Sequence, residues 1–148
     1  MAGSYFQGAL KQGGAISDTA GSSWVESILF GSVTSAGAGT GAAVFDLTLA
    51  IPTGARIIEV SADSTVAWAP SGTASCTVGI TAGGTEYVTG FDVKTITRGP
   101  TAAYTAAQLG AMAAPASTAV VVRVNVGAAT AGSYAGTTLV AVKIVQMV

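Results

Sequence analysis

The chain has 148 residues and a mass of 14.4 kDa, the size of one domain, and Ala, Gly, Thr, Val and Ser hold 98 of its positions. Six Lys and Arg stand against seven Asp and Glu; this leaves no basic stripe for phosphates or anionic lipid, so neither nucleic acid nor a membrane surface is an expected partner. There is no His, which excludes Ser-His-Asp and Cys-His catalysis and imidazole-bound metal, and the single Cys76 cannot close a disulfide within the chain.

Residues 1–22 carry Gly3, Gly8, Gly13, Gly14 and Gly21 and follow neither a helical nor a strand period, so they read as an extended arm preceding a domain of residues 23–148. Such a terminus either frays or docks, and Tyr5, Phe6, Leu10 and Ile16 make it more apolar than disordered tails usually are. Its start shows no basic stretch leading into a continuous apolar run, so no secretory signal is expected. Trp24 to Val33 is β-rich and apolar at both parities, with Trp24, Ile28 and Phe30 on one side and Val25, Leu29 and Val33 on the other. Such a strand has both faces covered.

From residue 43 the pattern alternates: Phe45, Leu47, Leu49 and Ile51 share a face, and Val44, Asp46, Thr48 and Ala50 take the other. Pro52-Thr53-Gly54 breaks that strand, and Ile58, Val60 and Ala62 resume an apolar face. Cys76, Val78 and Ile80, then Ala82-Gly83-Gly84, then Tyr87, Thr89, Phe91 and Val93 read as a hairpin. Residues 101–114 suit a short helix as well as a loop, because Ala102, Ala103, Ala106, Ala107, Leu109 and Ala113 have high helix propensity. Val120, Val122, Val124 and Val126, and later Val140, Val142 and Ile144, form two further alternating strands. The uncharged interval Gly99 to Val122 is broken by Gly and Pro and does not read as a bilayer span. Short β-branched runs at intervals of about 10 to 15 residues, separated by Gly and Pro, predict an all-β fold: an antiparallel β-sandwich of about eight strands, as in a jelly roll.

Candidate chemistry is sparse. Gly37, Gly39 and Gly41 resemble a phosphate loop only superficially, because a strand and not a helix follows them. Asp46, Glu59, Asp63, Glu86 and Asp92 show no ligand spacing, and Asp46 and Glu59 fall opposite the apolar stripes as solvated carboxylates. Lys94 or Lys143 as base to a Ser or Thr nucleophile has no supporting motif. Cys76, on the Val78 face, reads as a buried thiol. Trp68, Tyr87, Tyr104 and Tyr134 are either a sugar-stacking platform or core and interface anchors. No enzyme activity and no cofactor is expected.

A surface this poor in charge is either solvated by Ser and Thr hydroxyls alone or partly covered by copies of the chain or by a partner. The run from Phe45 through Ile51-Pro52-Thr53-Gly54-Ala55 to Ile58, an alternating strand, a turn and a second apolar strand, resembles small virion proteins of tailed bacteriophages. Thr77-Val78-Gly79-Ile80 and the Val-rich closing strands are similar in style. The resemblance spans residues 43–148 and implies a jelly-roll sandwich, usually a trimer, that binds the major capsid protein on the outside of the virion as a decoration or cement protein. No catalytic residues come with it. Tyr5, Phe6, Trp24 and Phe30 are the expected interface anchors. The alternative is a glycan- or receptor-binding module of a head or tail fibre, using the aromatic residues.

Overall fold

The computed structural model describes residues 24–37, 39–100, 103–129 and 134–147. Among the described residues eight strands run in chain order: β1 (Trp24–Ser35), β2 (Gly41–Ala50), β3 (Arg56–Val66), β4 (Ala74–Gly79), β5 (Val88–Asp92), β6 (Arg98–Gly99), β7 (Ala119–Ala129) and β8 (Gly136–Met147). The helix α1 (Ala106–Ala113) lies between β6 and β7. The strands pair antiparallel into two four-stranded sheets, ordered β1-β8-β3-β6 and β2-β7-β4-β5. Within these orders the first strand pairs with the eighth, the second with the seventh, the third with the sixth and the fourth with the fifth. A single long hairpin rolled across two sheets produces that pattern, which is the jelly roll.

The Val-rich strands occupy the centre because alternation delivers one complete apolar row to the space between the sheets. On β7, Val120, Val122, Val124 and Val126 are buried, and they face Val60, Ala62, Val140, Val142 and Ile144 across the sandwich; Cys76 and Val78 on β4 are fully buried beside them. Each such Val contributes about 1.5–3 kcal/mol relative to exposure. β2 is an edge strand, so its inward row of Phe45, Leu47 and Leu49 is only half-buried. Gly31 of β1 lets the two edges approach there, since a Cβ at that position would come 2.5 Å from a Leu47 methyl.

The turn after β2 follows from its sequence. Ala55 N donates to Pro52 O at 3.1 Å, and Gly54, third in the turn, takes φ +79°, which a type II turn requires. Beyond it the expected face is corrected. Ile58 is 45% exposed, because a register shift between Ile57 and Glu59 turns Ile57 into the core in its place. An inserted residue reverses which parity points inward.

Residues 106–113 resolve the helix-or-loop alternative in favour of a helix. Eight residues are too few for a helix to persist alone, so its ends and docking matter. Thr105 Oγ1 accepts from Gln108 N at 3.2 Å, and Gln108 Oε1 accepts from Thr105 N at 2.9 Å, a reciprocal capping box. Gln108 Nε2 also donates to Tyr87 O at 3.2 Å, and Met112 is buried. Thr105→Ala should lower stability by about 0.5–2 kcal/mol, read as a lower urea midpoint with an unchanged transition slope.

Candidate interaction surface

Strand alternation sends one row of each outer strand to solvent, and the two sheets differ in what they present. Among the described residues, Ile28, Phe30, Ile58, Val66 and Leu139 are exposed large hydrophobics of this kind on strands β1, β3 and β8, whereas the other sheet exposes only Val44. Phe30 is 73% exposed. It lies opposite Ala141 in the register, with Ile28 opposite Lys143 and Ser32 opposite Leu139. On the far side of β8, Ser61 also pairs Ala141, Glu59 pairs Lys143 and Asp63 pairs Leu139.

Charge surrounds this apolar stripe. Lys143 Nζ meets Glu26 Oε1 at 2.8 Å, and the Arg98 guanidinium forks onto Asp63. The Glu26 carboxylate, with Glu59 adding to it, holds the Lys143 ammonium above its ordinary range. On the opposite sheet Arg123 forks onto Asp46, at 2.7 and 2.6 Å, and this hydrogen bonding lowers the Asp46 pKa. Asp46 is therefore an ion-paired surface carboxylate. Lys94 donates its ammonium to Gly72 O at 2.8 Å, beside a shallow depression of about 340 Å³ lined by Ser75, Phe91 and Asp92.

The anchors expected from the sequence divide three ways. Phe30 is on the surface, as an interface residue must be. Trp24 begins β1, its backbone paired with Met147, but its side chain lies outside the described residues, as do Tyr5, Phe6 and the rest of the 1–22 arm. Ile28 and Phe30 leave the outward face of β1 open among the described residues, so the described part of the chain does not supply the cover expected on both faces of this strand.

The aromatic platform is not formed. Trp68 is 1% exposed, Tyr87 is fully buried and Tyr134 is 8% exposed. Trp68 Nε1 donates to Thr138 Oγ1 at 3.0 Å, Phe45 lies tilted against its indole with ring centroids 5.1 Å apart, and Tyr134 meets the same Phe45 edge-on at 6.2 Å. Tyr134 donates its hydroxyl to Gly41 O, and Tyr104 directs its own to the β3 backbone. These rings close the sandwich and offer no flat face to a sugar. Cys76 is buried, and burial pushes its thiol up to about 12, so it carries no thiolate at neutral pH. The Gly37–Gly41 run connects β1 to β2, and a Cβ on Gly39 would strike the Tyr134 ring. Gly39 serves ring packing.

Among the described residues no three His, Cys, Asp or Glu side chains come together as a metal site, and no helix is long and apolar enough to cross a membrane. No protein family, curated protein or solved structure matches the chain.

Proposed function

We propose that the chain is a structural virion protein of a tailed bacteriophage, which binds the major capsid protein on the outer surface of the shell as a homo-oligomer and opposes shell rupture. The observation that carries this reading is the open apolar face around Phe30 and Ile28 on a chain with 13 charged residues. A surface of that kind is suited to being covered. The jelly-roll sandwich supports the reading as a frame that presents such a face, and the resemblance supplies the capsid as the partner. Weak contacts repeated over a symmetric shell reinforce one another through effective concentration, so no single strong site is needed. The 1–22 arm, with Tyr5 and Phe6, is assigned to the coat protein, where an extended segment adds to a sheet edge.

Purified protein should co-sediment with capsids of the phage that carries it, and antibodies against it should label the outside of intact virions. Deleting residues 2–21 should abolish co-sedimentation and leave the circular dichroism of the sandwich unchanged. Failure of the full chain to bind these capsids refutes the reading; binding that survives the deletion removes the arm from it.

A further inference from the structure

We propose that the outer face of the β1-β8-β3-β6 sheet is the seat of a second copy of this chain, related by a twofold axis running along β8. The inference rests on the homo-oligomer part of the functional reading and not on the capsid, and it puts a twofold pair in place of the trimer that the resemblance implies. Three properties of the face point to the chain itself as occupant.

The first is relief. Across the three long strands one row reads Phe30, Ala141, Ser61. A large exposed ring therefore stands beside two small side chains, a knob next to a hollow. An isologous contact places the same patch on both partners, and a dyad along β8 lays β1 of one copy over β3 of the other. Each Phe30 then seats over the other copy's Ser61 and Ala141. Sheets stack in this way about 10 Å apart.

The second is charge. The face carries Glu26, Glu59 and Asp63 against Arg56, Arg98 and Lys143, three of each sign. A neutral face can meet its own copy without net repulsion, whereas a strongly charged one cannot. The row one end of the patch reads Glu26, Val145, Arg56. Under the same dyad each Glu26 comes over the other copy's Arg56. Lys143 lies nearest the axis, and each Lys143 is flanked by its own Glu26 and Glu59, so the two ammoniums meet among four carboxylates.

The third is extent. Strands spaced about 4.8 Å apart with a rise of about 3.3 Å per residue give β1, β8 and β3 a face of roughly 550 Å² in projection. Side-chain relief brings this towards the roughly 800 Å² that a stable interface takes from each partner. Phe30 supplies the exposed aromatic anchor that binding hot spots favour. The opposite sheet, with Val44 beside the Asp46–Arg123 pair, Thr48 and Asn125, lacks such an anchor among the described residues.

The test is the mass of the full-length protein by analytical ultracentrifugation across micromolar concentrations, without capsids. Wild type should sediment as two 14.4 kDa chains. Phe30→Glu should raise the dissociation constant at least tenfold and leave the thermal midpoint of the isolated chain in place, because the ring is already in solvent. Glu26→Arg should weaken the dimer, and adding Arg56→Glu should restore it. A wild type that stays monomeric overturns the proposal, as does an oligomer, including a trimer, that survives Phe30→Glu. A charge swap that fails to restore association overturns the placement of the axis. A dimer that passes these tests and binds no capsid refutes the functional reading alone.

Discussion

Trp68→Ala should destabilise the chain by about 3–5 kcal/mol, the cost of removing a large aromatic from a core that cannot collapse around the void. The indole is 1% exposed, contacts Phe45 at 5.1 Å and donates to Thr138 Oγ1 at 3.0 Å. Its loss leaves a cavity and also strips the fully buried Thr138 hydroxyl of its donor. Gly136 shows how closely the ring is held, since a Cβ there would come 2.5 Å from the indole. Gly136→Ala should therefore be harmful in wild type and tolerated beside Trp68→Ala, where its methyl enters the vacated space. Urea unfolding of both single variants and the double variant checks this: the double should be more stable than the sum of the singles implies. Additive losses would mean that position 136 does not feel the ring. The same burial bears on ligand binding, because any activity lost with Trp68→Ala reports loss of the fold.

How legible the fold was depends on the kind of signal. Val120 to Val126 and Val140 to Ile144 declare their faces through strict alternation, and both rows are in the core. The Cys76–Val93 hairpin was readable because Gly83 and Gly84 punctuate it, although the connection is longer than the three residues that suggested it. Ile58 was misplaced because a bulge is set by pairing with β8, which leaves no mark in the local alternation. The short helix carried a legible signal in Thr105 and Gln108, spaced as a capping box, which the Ala content obscured. Trp68 and Tyr134 were ambiguous for another reason. They lie in loops, and only the folding of those loops over the sandwich end decides that the rings point inward. For the candidate surface, the two-sided apolar pattern of β1 was visible, but a core strand and a docking strand share that pattern. What separates them is position in the sheet, since β1 is an edge strand whose outward row is exposed among the described residues.

Tyr104→Phe should cost about 1–3 kcal/mol, the penalty for leaving partly buried backbone groups without partners, although it removes a single oxygen. The phenol donates to Val60 O at 2.6 Å and accepts from Val60 N at 3.0 Å. Both groups point away from β8, towards the side on which β6 pairs β3 only at Ala62 and Asp63. The hydroxyl therefore stands where the next strand would continue, and finishes the ladder that the two-residue β6 leaves short. Amide exchange at Val60 should quicken in the variant, while exchange at Val122 and Val124, deep in β7, should follow only the global change in stability. The pH dependence gives a second reading. Burial raises the Tyr104 pKa above its ordinary value, outweighing the opposing effect of the Val60 hydrogen bond. A group whose folded pKa is raised contributes stability that is complete below its unfolded pKa, about 10, and is lost as pH rises towards the folded value. Wild type should thus lose stability above about pH 10, and the Phe variant should lose less over that interval, with Tyr87, Cys76 and Lys143, whose pKa values are raised as well, supplying the remaining slope. Parallel alkaline limbs in the two proteins would show that the Tyr104 proton plays no part in holding the β3 edge.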